Sequence, residues 1–213
     1  MRMLLTAAGL AMLAGCAVLT APAPLFSAAD RDPSFALEEG LWAFRGNDCR
    51  VDPARAAPNR KSCLDWARIR RLEDGGWIAE PAEPEDADDA PARFDVYPAT
   101  VAAPGVRTPV YVAEGRTDKD EGVNYAALIP RAGPADGDAD NRPGAVRRVV
   151  IIALECTTIT REGPIADIIV EHKDGSISGC TAKTKDAVRE AARRAVVAGA
   201  ATLGDEEIVW VRR

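Results

Sequence analysis

The chain has 213 residues, with 33 acidic against 27 basic side chains, a formal net charge of −6 and five cysteines. That balance weighs against nucleic acid, which calls for a basic patch, and leaves no polybasic stretch to hold an anionic membrane surface. The length suits one domain with a proper core, or two small ones.

Met1, Arg2 and Met3 give a short, positively charged start, and residues 4–12 form an uncharged, mostly apolar run. That run falls far short of the roughly 20 residues a membrane-spanning helix needs, but has the length and flanks of a secretory h-region. Leu13-Ala14-Gly15-Cys16 follows. The segment resembles a bacterial lipobox: a Leu, two small residues and the cysteine that becomes the mature N-terminus. The resemblance covers residues 1–16 alone. It implies that residues 1–15 are a signal peptide and that the Cys16 thiol carries a diacylglyceryl group through a thioether. The partner implied is a lipid membrane, reached through acylated Cys16 with about 0.8 kcal/mol per buried methylene. Ala17, in place of Asp, resembles lipoproteins sorted to the outer membrane. The domain would then lie in the periplasm.

Residues 16–33, the lipidated Cys and an Ala/Pro tether containing Pro22, Pro24 and Pro33, are expected to be extended and poorly packed. Leu25 and Phe26 within it dock on either the domain or the bilayer. Residues 34–213 read as one globular domain. Short strands are expected at 40–44, 66–72, 77–79, 94–97, 110–113 and 123–129, with Asp74-Gly75-Gly76 as a hairpin turn. Residues 81–92 and 133–144 read as polar loops. Residues 146–154, centred on Val149-Val150-Ile151-Ile152, suit a strand covered on both faces. A strand at 165–171, a turn at Asp174-Gly175 and a return strand at 176–180 follow. Residues 184–200 read as a helix, with Val188, Ala191, Ala192, Ala195, Val196 and Gly199 on one stripe of mostly small residues. A last strand is expected at 208–211. The sum is an α+β fold: a mostly antiparallel sheet of short strands with one C-terminal helix packed on it.

With Cys16 assigned to lipid, Cys49, Cys63, Cys156 and Cys180 remain, an even number that in an exported chain suggests two disulfides. Of three possible connectivities the sequential one, Cys49–Cys63 with Cys156–Cys180, is favoured. Chain entropy alone would make those loops worth about 3 and 3.5 kcal/mol. If the strands from 146 to 180 form a meander, Cys156 and Cys180 lie about 9.6 Å apart on neighbours of the middle strand. That exceeds the roughly 7 Å bridging limit, so both cysteines must lie past the strand ends. Short CxxC or CxxH spacings are absent and His172 is the only histidine, so neither a metal nor a cofactor is expected.

Trp42, Trp66 and Trp77 cluster in one region, as an aromatic ligand surface or as core. Asp136, Asp138 and Asp140 have calcium-loop spacing, but Asn141 and Arg147 stand where such a loop needs Gly and Glu. The acidic residues from 83 to 89 read as a solvated run, and His172 as a polar residue at a hairpin tip. Glu155 and Glu171 end apolar strands and offer a carboxylate pair. Gly40-Leu41-Trp42-Ala43, the paired cysteines, Gly179-Cys180-Thr181 and the Ala-rich helix loosely resemble proteobacterial envelope lipoproteins, which implies no activity. The expectation is a non-catalytic envelope lipoprotein that binds a protein or small molecule or acts structurally. The alternative is a periplasmic hydrolase using Glu155 and Glu171.

Overall fold

A computed structural model describes residues 17–45, 65–82, 91–99, 109–117, 122–131, 145–199 and 207–212. Cys16, the expected Cys49–Cys63 pair, the acidic run at 83–89, and Asp136, Asp138 and Asp140 lie outside the described residues.

The α+β expectation is corrected: strands make up 53% of the described residues, and they close into an eight-stranded antiparallel barrel. Its staves are β3 (Gly40–Arg45), β4 (Asp65–Arg71), β5 (Trp77–Pro81), β6 (Ala92–Pro98), β7 (Tyr111–Thr117), β8 (Val123–Pro130), β10 (Arg148–Ala153) and β13 (Glu207–Arg212). They pair in the order β3-β4-β5-β6-β7-β8-β10-β13, and β13 returns to β3 with Trp210 opposite Trp42. Closure was invisible strand by strand, because it depends on which distant strands share an edge.

Alternation along each stave sorts side chains by face. Trp42, Ile69, Trp77, Phe94, Tyr111, Leu128, Val149 and Ile208 are buried together inside. The opposite phase of β6, β7, β8 and β10, including Tyr97, Val112, Tyr125 and Val150, is buried with the elements outside. On the β4–β5 side that outer phase carries Arg68 and Arg70, both exposed. One wall is therefore apolar on both faces and the other wall on one. Val149 is fully buried and Val150 nearly so, on opposite faces, as the β-branched run led one to expect.

β8 has two neighbours on its outer edge. Residues 126–130 pair with β10, while Val123 and Asn124 pair with β1 (Leu19–Ala21). Gly122 permits the approach, since a Cβ there would lie 2.6 Å from the Ala21 carbonyl oxygen. β1 then pairs in parallel with β12 (Ser176–Ala182), and β12 with β11 (Ile168–Lys173). The meander expected from 146 to 180 is thus replaced. The chain leaves β10 through Leu154, runs beside β1, and turns into the short helix α1 (Cys156–Ile159). Ile165, expected on a strand, is buried in the turn before β11. Cys156 and Cys180 are disulfide-bonded with Cα atoms 5.7 Å apart, as the sequential pairing requires.

The tether expectation is also corrected. Leu19 and Ala21 are 0% and 1% exposed, and Phe26 is buried in the same cluster. Residues 22–35 cross the outer wall as a strap. β2 (Ala36–Leu37) then pairs in parallel with β9 (Ala145–Val146) outside the barrel sheet. Phe35 and Leu37 join the interior cluster, with Phe35 packed on Tyr111.

The helix α2 (Lys185–Gly199) lies on the outer face of β8 and β10. Ala191, Ala192, Ala195, Val188 and Val196 are all fully buried, and at Gly199 a Cβ would come within 3.4 Å of Ile152. The small residues set that close approach. Replacing Ala195 with Leu overpacks this contact, at an expected cost of about 1–3 kcal/mol. Replacing Arg193, which pairs with Glu190 at the helix surface, should cost less than about 1 kcal/mol. Denaturant unfolding of both variants checks the difference, and equal losses would contradict the packing.

Candidate functional site

β6 and β7 place two acidic side chains directly opposite each other. Asp95 and Glu114 are register partners on the outer face, 7% and 5% exposed. Like charges at such positions repel, and buried charges need partners. Both requirements are met from the strap. Glu114 Oε2 accepts hydrogen bonds from the backbone N–H groups of Leu25 (3.0 Å) and Phe26 (3.4 Å) and from the Tyr125 hydroxyl (3.0 Å). Arg31 donates to Asp95 and to the Asp74 carbonyl, and Arg93 pairs with Asp74.

Aromatic rings fill the space between these charges. Phe26 stacks on Tyr97 with centroids 4.6 Å apart and meets Tyr125 edge-on. The Arg189 guanidinium of α2 sits 5.5 Å over the outer side of the Phe26 ring. Burial, then the charges of Asp95 and Glu114, push the Tyr97 hydroxyl pKa up. Burial, then the charge of Glu114 and the bond to it, does the same for Tyr125. Burial, then the bond to Asp32, pushes Tyr111 up to about 12. These phenols stay protonated, and those of Tyr111 and Tyr125 donate to Asp32 and Glu114.

The strap is pinned at further points along its length. Lys185 at the start of α2 grips both carboxylate oxygens of Asp30, at 2.8 and 2.7 Å. This bond first, then those from Ser27, holds the Asp30 carboxyl well below the usual range. The Ser34 hydroxyl and amide lower Asp32, and the Arg93 bond lowers Asp74. Glu38 pairs with Arg147, whose guanidinium lies 4.7 Å over the Trp210 ring. Since strap backbone covers Glu114 and occupies its oxygen, the Asp95–Glu114 constellation is a clamp. It is no acid–base pair open to a substrate.

The residues singled out from sequence are dispersed by comparison. Trp42 and Trp77 point into the barrel, where Trp42 Nε1 donates to the Glu38 carbonyl at 2.8 Å. Trp66 lies on the opposite phase, across from Ala43, and is partly buried. The three indoles therefore share no surface. Glu155 sits beside β1 and precedes α1, while Glu171 stands on β11. Two strands, β1 and β12, intervene, which makes about 14 Å across three strand spacings. His172 is exposed on β11 opposite Ile177.

Arg31, Asp95 and Glu114 were missed. The available signal was an isolated charge inside an apolar strand run, in Phe94-Asp95-Val96 and Ala113-Glu114-Gly115. No family model, curated protein or solved structure matches the chain.

Removing the Glu114 carboxylate by Glu114→Ala orphans two amides and a hydroxyl, each worth about 1–3 kcal/mol when buried without a partner. A loss of about 3 kcal/mol or more is expected, with faster hydrogen exchange at Leu25 and Phe26. Wild-type stability in that variant would refute the clamp. Acid provides a second test. The lowered carboxyls of Asp30, Asp32 and Asp74 contribute stability that is complete above their ordinary value of 3.8 and lost as pH falls through the lowered values. The thermal midpoint should fall below pH 3.8, and less steeply in Asp30→Asn than in wild type.

Proposed function

We propose that the chain is an envelope lipoprotein, anchored through acyl chains on Cys16, whose barrel serves as a non-catalytic binding or structural module. The observation that supports this reading is how residues 17–21 are built into the fold. The Ala17 carbonyl, one residue past Cys16, accepts a 2.8 Å bond from the Cys156 amide, and Leu19 is fully buried. Cleavage before Cys16 keeps every described residue of the barrel and its side sheet in the chain. An ordinary signal-peptide cut after Ala21 would strip Leu19 and Ala21 out of the core.

The fold also favours anchoring over spanning. Among the described residues no helix is long and apolar enough to cross a membrane. The barrel is apolar inside and carries Arg68, Arg70 and Glu80 on its outer phase, the reverse of a membrane-spanning barrel. Ala17 in the sorting position supports the outer membrane, with the barrel on its periplasmic side. The hydrolase reading built on Glu155 and Glu171 finds no geometry to support it.

Cys16→Ser tests the anchor. The variant should lose its lipid, read from the mass of the N-terminal peptide, and leave the membrane fraction. A processed, unlipidated variant that still sediments with membranes would refute the reading.

A further inference from the structure

The fold sets how far an anchored barrel can stand from its bilayer. β1 and β12 run parallel, with Leu19 opposite Cys180 and Thr20 opposite Thr181. Toward the N-terminus, Ala17 lies two residues beyond Leu19 and is held extended: Leu19 donates to Leu154, and Cys156 donates to Ala17. β12 continues in the same direction for four residues beyond Cys180, to Ser176. At about 3.3 Å per residue, the start of β12 reaches about 7 Å further than Ala17. The Cα of Cys16 can recover at most about 3.8 Å of that, and the thioether and glyceryl group beyond it belong to the headgroup layer, above the acyl chains.

The hairpin turn extends further still. Asp174 and Gly175 both have positive φ, 52° and 80°, the backbone of a tight two-residue turn between β11 and β12. His172, Lys173, Asp174, Gly175 and Ser176 are all exposed. Their side chains are polar with near-balanced charge, chemistry suited to zwitterionic headgroups rather than to acyl chains.

The geometry points to the tip of the β11–β12 hairpin as a membrane-contact surface, seated among lipid headgroups whenever Cys16 carries its acyl chains. The inference rests on the anchoring reading above and adds the contact face. A lipid on Cys16 draws the Ala17 end of β1 to the interface, and the hairpin, reaching past it, enters the headgroup layer. The barrel is then held on its side-sheet flank, with the other end of β12, at Lys183, turned away from the bilayer. Lys183 lies seven residues from Ser176, about 23 Å along the strand.

The test uses the full lipidated chain in phosphatidylcholine vesicles, with a fluorophore on either Ser176→Cys or Lys183→Cys, both exposed positions. Label taken up by the parent chain is subtracted. Attachment should reduce iodide quenching at position 176 to less than half its value for the detergent-solubilised protein, and leave position 183 unchanged. Inserting a Gly/Ser linker of about ten residues between Cys16 and Ala17, with a span of about 17 Å, should restore quenching at 176 without detaching the protein. Amide hydrogen exchange at 173–176 should follow the same order. If the mass of the N-terminal peptide shows lipid, yet quenching at 176 is unaffected by vesicles, the hairpin contact is wrong and the anchor stands. If the peptide carries no lipid, both readings fall.

Discussion

The architecture turns on the outer edge of β8. This strand is buried on both faces, with Tyr125, Ala126, Ala127 and Ile129 at 1% exposure or less, so each of its backbone polar groups needs a partner inside the protein. β7 serves one edge throughout. On the other edge β10 reaches only as far as Ala126, and the barrel would have a gap at Asn124 and Val123. β1 fills it. From that one substitution follow the burial of the N-terminal segment, the parallel pairing of β12, and the departure of residues 154–156 from the barrel wall.

The double-sided wall imposes a second requirement. Outward-facing Val112, Tyr125, Ala127 and Val150 would expose a broad apolar surface on a bare barrel, and α2, β1 and the strap divide the task of covering it. α2 covers its share with Ala side chains, which permit close contact. The strap is held mainly by polar bonds to Asp95 and Glu114, charges placed inside otherwise apolar strands. Those charges are costly when uncovered, so the same residues that disfavour a bare wall favour the seated strap.

Local periodicity carried much of this into the sequence. Strand positions in the barrel lay within a few residues of expectation, and the stripe from Val188 to Val196 identified the buried face of α2. The Cys156–Cys180 bridge follows the sequential pairing favoured from the even cysteine count, although the strand order assumed beside it was wrong. Closure was not legible, since Trp210 opposite Trp42 joins residues remote in the chain. Nor was the strap. Its Ala and Pro content reads as linker, and part of what fixes it, the backbone amides of Leu25 and Phe26, leaves no mark on composition. The three tryptophans misled for a simpler reason: proximity in sequence says nothing of phase, and Trp66 sits one position out of step with Ala67 and Ile69.

The disulfide gains a mechanical meaning from its place. β1 lies between residues 154–156 on one side and β12 on the other, and Cys156–Cys180 joins those two flanks. A pull on the chain ahead of Leu19 acts along β1. It loads the hydrogen bonds on both sides together in shear, instead of opening them one at a time. The strand could slide free only if its flanks spread, and the covalent bridge limits that spreading. The fold thus closes a strain-bearing grip on residues 17–21, outside the barrel's interior.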